Sequence, residues 1–273
     1  MSRLEARFKA LKTEGRGGFV PFLTSCDPDP ATFAALLAGL PGAGADIIEV
    51  GVPFTDPAAD GPSIQAGGLR ALKAGASLRK TLGLIADFRK QDQMTPIVLM
   101  GYFNPIYRMG CAAFAEAAAA AGVDGLITVD LPPEEEAELR EPIQAVGIDI
   151  VRLIAPTTDD VRLPKVLKHA SGFIYYVSIA GITGTRTPSL DSIAAAAARL
   201  RRHTDLPLAV GFGIRTLELA GSVSRVADAA VVGSAIVERI ASNLDADGKA
   251  RPGLVEDVLA LARTMSDAVR AKA

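Results

Sequence analysis

The chain has 273 residues, 49% of them hydrophobic and 22% charged, with a formal net charge of −2. This composition excludes a disordered chain and supports a large core, and the scattered basic residues exclude a nucleic-acid footprint, which needs a clustered basic face. No apolar run reaches the roughly 18 residues of a membrane helix, and the N-terminus, where Glu5 and Glu14 alternate with Arg3, Arg7 and Lys9, reads as neither signal nor transit peptide.

The elements follow in chain order. Residues 2–14 carry Leu4, Phe8 and Leu11 at helical spacing, predicting a short helix able to plug the bottom of a barrel. Eight short runs rich in Val and Ile come next, at 19–25, 46–53, 95–103, 125–131, 148–155, 172–179, 207–214 and 229–237. Near-continuous apolar character is how a parallel strand buried on both faces reads. Helical patterns lie between them, among them 32–40, 78–89, 111–121, 134–146 and 192–202. A polar loop at 243–253 precedes a last helix over residues 254–270. Gly44-Ala45-Asp46, Gly122-Val123-Asp124 and Gly147-Ile148-Asp149 each punctuate a helix-to-strand passage, with Gly suited to the left-handed helix end. The same unit repeated, with eight strands, favours closure over an open sheet. The expectation is one (β/α)8 TIM barrel domain over residues 1–273 with an extra N-terminal helix.

Such barrels place their active site at the C-terminal ends of the strands. In the second run, Glu49 shares a face with Ile47 and Gly51, opposite Ile48 and Val50. If Ile48 and Val50 meet the helices, Glu49 points into the barrel mouth, where an apolar setting raises its pKa towards neutrality. A structural carboxylate paired with a buried Arg is the other reading. Phe54-Thr55-Asp56-Pro57-Ala58-Ala59-Asp60-Gly61-Pro62 follows: either a plain turn, or a stiffened loop holding Asp60 opposite Glu49. Gly211-Phe212-Gly213 and Gly233-Ser234 end the seventh and eighth runs, where glycines either admit an anion to backbone N–H groups or merely relieve crowding. The Gly/Thr-rich segment 180–189 reads as a lid or as an ordinary exposed loop. No Lys lies inside a run, which leaves a Schiff base without an obvious nucleophile. His169 and His203 fall near helix C-termini and read as structural, so no metal site is expected. Cys26 and Cys111, with no CxxC spacing, suit free thiols in a reducing cytoplasm.

Read together, several segments strongly resemble the tryptophan synthase α subunit family. They are Ile48-Glu49-Val50-Gly51-Val52-Pro53-Phe54-Thr55-Asp56-Pro57, Ala59-Asp60-Gly61-Pro62-Ser63-Ile64-Gln65, Met100-Gly101-Tyr102-Phe103-Asn104-Pro105, Asp130-Leu131-Pro132-Pro133-Glu134-Glu135, Thr183-Gly184, Gly211-Phe212-Gly213-Ile214 and Gly233-Ser234-Ala235-Ile236-Val237. They run in family order over essentially the whole chain. The resemblance implies cleavage of indole-3-glycerol phosphate to indole and glyceraldehyde 3-phosphate by a retro-aldol step with no cofactor in this chain. It implies that Glu49 moves the protons and that Asp60 accepts the indole N–H. Phe22, Met100, Tyr102, Ile127, Val129, Tyr175 and Phe212 would line the indole pocket. Gly184, Gly213, Gly233 and Ser234 would hold the phosphate, and Thr183 would orient Asp60. Met100 and Val129 depart from the family pattern while keeping its apolar character. The family also implies a pyridoxal-phosphate β subunit as partner in an α2β2 heterotetramer. Pro53, Phe54, Asp56, Pro57, Asn104, Pro105 and Tyr107, on loops of low charge, are the candidate docking surface. Two other readings stand beside this one. One is an isomerase barrel of a related pathway using Cys26, which follows the first run. The other is a catalytically silent binding subunit.

Overall fold

The computed structural model describes residues 1–178, 189–211 and 213–271. Thr183, Gly184 and Phe212, with nearly all of the expected lid, lie outside the described residues. The first half runs α1 (Arg3–Glu14), β1 (Gly18–Thr24), α2 (Pro30–Gly39), β2 (Ile48–Gly51), α3 (Pro62–Lys73), α4 (Leu78–Arg89), β3 (Ile97–Gly101), α5 (Phe103–Met109), α6 (Cys111–Ala121) and β4 (Gly125–Thr128). The second half runs α7 (Ala137–Ala145), β5 (Asp149–Ile150), β6 (Arg152–Ile154), α8 (Leu163–Leu167), β7 (Ile174–Val177), α9 (Leu190–Leu200), β8 (Leu208–Gly211), α10 (Leu217–Ser224), β9 (Ala229–Val232), α11 (Ser234–Ser242) and α12 (Leu254–Arg270). Among the described residues no helix is long and apolar enough to cross a membrane.

All strand pairs are parallel, in the order β5-β4-β3-β2-β1-β9-β8-β7-β6. The expected fifth strand is broken at Val151: its first piece pairs with β4 and its second with β7. The two ends of the sheet are therefore consecutive in the chain, and the sheet wraps into a (β/α)8 barrel with nine strand pieces instead of eight. Alternation separates two apolar layers. Ile48, Val50, Ile97, Leu99, Val210 and Val232 face the surrounding helices. Ile47, Val98, Met100, Ile127, Tyr175 and Val231 face inward.

The inner layer is closed from below by α1, whose Leu4, Phe8 and Leu11 join it as expected. The aspartates of the three repeats hold this plug. Ser2 Oγ donates to Asp149 at 2.8 Å, Arg3 pairs with Asp124 at 2.8 Å, and Arg16, just beyond the helix, forks onto both oxygens of Asp46 at 2.8 Å. Asp46 and Asp124 also accept the backbone N–H groups of Phe19 and Ile97, the neighbouring strands. Gly44, Gly122 and Gly147 take φ of +94°, +83° and +77°, so the left-handed turn expected of each is present.

Several expected runs are longer than their strands, and two of them overshoot into a helix. Residues 229–237 stop being strand at Val232, because Gly233 turns the chain into α11. Residues 95–103 end at Gly101, and Phe103 opens α5. Asn104, Pro105 and Tyr107 thus sit on a short helix and not on a loop, with Pro105 tolerated because it falls in the first turn.

Candidate active site

Register places the central acid. Glu49 is paired with Phe22 on β1 and Val98 on β3, and its side chain enters the barrel with only 2% of its surface exposed. Its Oε1 has no hydrogen-bond partner. Among the described residues no arginine pairs with it, which counts against the structural-pair reading. Burial, and then the charge of Asp60, push the carboxyl up to about 8. Glu49 therefore carries its proton at neutral pH.

Asp60 comes from the loop between β2 and α3. Its carboxyl is pushed up to about 6, mainly by burial, while a hydrogen bond with Tyr102 pulls the other way. Tyr102, at the end of β3, is fixed in turn: its hydroxyl accepts the Ala59 N–H at 3.0 Å and its ring stands 5.2 Å from that of Phe54. The aromatic residue expected to contact a ligand is thus also a fastening for the acid's loop.

The two acids face a cleft of about 510 Å³ when open solvent at its mouth is counted. Phe22, Met100, Tyr175, Ile64 and Val231 give it apolar walls, and Gly213, Ile214, Gly233 and Ser234 form one end. An adjoining chamber, about 400 Å³ when open solvent at its mouth is counted, shares Phe22, Asp60, Ile64 and Met100 and adds Tyr102 and Val129. Ile127 borders neither space; it is fully buried in the inner layer beneath them. Ile64, Ile214 and Val231 line the cleft without having been singled out from the sequence. Val231 was findable, because alternation from Ala229 puts it on the inner face.

The glycines divide between the two roles open to them. A Cβ on Gly211 would lie 2.1 Å from the Tyr175 hydroxyl, and one on Gly51 would lie 2.4 Å from the Phe22 ring, so these two make room for rings. Gly213, at φ +80°, and Gly233 face the cleft instead. Gly233 is the N-cap of α11, and no side chain caps that helix. An uncapped N-terminus with its partial positive charge opening on a cleft suits an anion such as a phosphate.

The expected docking residues form part of the rim. Asp56, Asn104 and Tyr107 are exposed and Phe54, Pro57 and Pro105 half-buried. Pro53 is buried and lines the adjoining chamber, so it offers little surface to a partner. Cys26 is fully buried, its thiol is pushed up by burial, and it borders neither space, which leaves no nucleophile for a cysteine-based reading. Among the described residues no group of three or more His, Cys, Asp or Glu side chains could hold a metal ion.

Glu49 also makes stability depend on pH. Its folded pKa of about 8 lies above the ordinary 4.5. Between those values the unfolded chain has lost the proton and the folded chain keeps it, so stability falls as pH rises from about 4.5 to about 8. Glu49→Gln removes this penalty. At about 1.4 kcal/mol per pH unit, it is expected to stabilise the fold by a few kcal/mol at pH 8 and by little at pH 5. Thermal unfolding at both pH values checks this; an equal change at both would mean that Glu49 titrates normally.

Comparison with known proteins adds a second line. A family model described as "Tryptophan synthase alpha chain" matches residues 8–270. The tryptophan synthase alpha chain of Gluconacetobacter diazotrophicus is 58% identical over 270 residues, covering 99% of this chain and 98% of the relative. The crystal structure of tryptophan synthase subunit alpha from Legionella pneumophila str. Paris superposes with a TM-score of 0.90 at 36% identity, covering 98% of both chains. The structure of Mycobacterium tuberculosis tryptophan synthase in space group F222 matches with a TM-score of 0.89 at 32% identity, covering 99% of both chains.

Proposed function

The chain belongs to the tryptophan synthase alpha chain family, and from that premise we propose that Glu49 and Asp60 carry its reaction. The chain is a carbon–carbon lyase of tryptophan biosynthesis that cleaves indole-3-glycerol phosphate to indole and glyceraldehyde 3-phosphate. The physical obstacle is that indole C3 leaves poorly as a carbanion. A proton placed on C3 turns the ring into an indoleninium cation, which leaves readily. Glu49, protonated at neutral pH, donates that proton. The resulting carboxylate then takes the proton of the side-chain hydroxyl as the C–C bond breaks and the aldehyde forms, and the acid is regenerated. Asp60, largely ionised at neutral pH, accepts the indole N–H and stabilises the cation. The observation that carries this reading is one cleft holding two carboxyls pushed to different values, about 8 and about 6.

The remaining assignments follow from the walls. Phe22, Met100 and Tyr175 hold the indole ring, with Tyr102 and Val129 on the side of the adjoining chamber. Gly213, Gly233 and Ser234 hold the phosphate at the start of α11, and Thr183, Gly184 and Phe212 complete the site by family analogy. The balanced step needs no cofactor from this chain. Structural neighbours are tryptophan synthases, and the chain's partner is the β subunit. Pyridoxal phosphate is assigned to that subunit, and the assembly to an α2β2 heterotetramer. The buried free thiols Cys26 and Cys111 suit the reducing cytoplasm.

The test is indole release from indole-3-glycerol phosphate by the chain alone and with saturating β subunit. Release is expected from the chain alone, and a rise of roughly tenfold or more is expected on docking over the rim of the Asp60 loop and α5. No release in either case sinks the assignment of these residues; an unchanged rate with the β subunit sinks the activating role of docking.

A further inference from the structure

The loop that carries Asp60 has a fastening that the cleft walls do not explain. Gln65 stands on the first turn of α3, and its side-chain Nε2 reaches back over the start of the helix. It donates to the Asp60 carbonyl oxygen at 2.8 Å and, at 3.4 Å, towards the Pro57 carbonyl. The Asp60 N–H donates to that same Pro57 carbonyl at 3.0 Å. The helix's own first bond, from the Gln65 N–H to the Gly61 carbonyl, anchors the donor itself. Asp60 is therefore held on both sides of its own Cα, and the two restraints meet at Pro57 and Gln65. Tyr102 holds the same loop through the Ala59 N–H, but the Asp60 carbonyl is held by Gln65, and the side chains of Ala58 and Ala59 are exposed. Gln65 borders the adjoining chamber but not the cleft that contains Glu49.

We infer that Gln65 is a positioning residue for the cleavage: its amide fixes the Asp60 backbone and thereby sets the carboxylate against the indole N–H. This rests on the role given to Asp60 above. A carboxylate hangs from its backbone by two rotatable bonds, so a backbone free to rock moves the oxygen by an ångström or more. A misplacement of about 1 Å is enough to cost a large factor in rate. Gln65→Glu is the sharper probe, because it keeps the shape of the side chain while setting an acceptor against two carbonyl oxygens.

The experiment measures steady-state indole release and thermal unfolding for Gln65→Ala, Gln65→Glu, Asp60→Asn and the Gln65→Ala/Asp60→Asn double variant, each assembled with the β subunit. Both Gln65 variants are expected to lose about tenfold in kcat, with KM changed by less than about threefold and Tm by less than about 3 °C. In Gln65→Glu the acid limb of the pH profile is expected to move upward, because a like charge beside Asp60 disfavours its ionised form. The double variant is expected to be no slower than Asp60→Asn alone. A kcat within about twofold of wild type in both Gln65 variants, or a loss confined to KM or Tm, overturns the inference while leaving Asp60 in place. So does a further loss of about tenfold in the double variant, which would mean that Gln65 acts elsewhere. Wild-type turnover in Asp60→Asn would instead remove Asp60 from the mechanism, and this inference with it.

Discussion

Glu49→Gln is expected to lower indole release by roughly 10²–10⁴-fold, the range that a positioned acid–base group supplies, while leaving substrate affinity within a few-fold of wild type. The amide keeps the size of the acid and fills the same place on β2, but it has no proton to give at neutral pH and cannot take one from the hydroxyl. Binding is expected to be spared because the proposed phosphate end, at Gly213, Gly233 and Ser234, and the apolar walls come from other elements. Equilibrium binding of the substrate and single-turnover cleavage separate the two effects. Loss of binding with the residual rate intact would make Glu49 a structural residue. The alkaline side of the wild-type profile follows from the same carboxyl. With the acid pushed up to about 8, the rate is expected to hold through neutrality and to fall above about pH 8 as the proton is lost.

Asp60→Asn is expected to reduce turnover by roughly 10²-fold, the cost of removing a charge placed where an opposite charge develops. Its signature lies on the acid side. Asp60 is pushed up to about 6, so wild-type activity is expected to fall as pH drops through about 6 and the carboxylate gains a proton. The Asn variant should lack that limb and keep the alkaline one. Retention of the acid limb in Asp60→Asn would assign it to another group, and near-normal turnover would remove Asp60 from the chemistry.

Much of this site was legible because strand alternation is a strict rule. Alternation aims Glu49 inward on the condition that Ile48 and Val50 meet the helices, which the structure satisfies. The adjacent Asp-Gly-Pro reads either as a plain turn or as a stiffened loop holding Asp60 opposite Glu49, since nothing local says which way such a loop folds. Two of the misreadings share one cause. Ser234-Ala235-Ile236-Val237 continues the apolar run of β9, and only the backbone at Gly233 marks the switch to helix. Phe103 likewise extends the run of β3 while in fact opening α5. The break at Val151 arises from closure of the sheet, a property of the whole barrel that no local pattern carries. Pro53 read as surface from its loop setting but is covered by its neighbours. The Gln65 clamp was out of reach for a related reason: a polar residue in the first turn of a helix most often faces water, and its hold on Asp60 depends on how the preceding loop doubles back.

The plug at the barrel floor fixes an order of events during synthesis. Helix α1 is made before every strand it plugs, and its handholds are spread along the chain at Asp46, Asp124 and Asp149. At a ribosomal rate of about 5–20 residues per second, the last of them follows the first turn of α1 by on the order of 10 s. Throughout that interval Leu4, Phe8 and Leu11 have no completed floor to fill. A helix made before the barrel it plugs is thus among the last parts to be seated, and the nascent chain carries a greasy face that a chaperone can hold until more than half of the barrel has emerged.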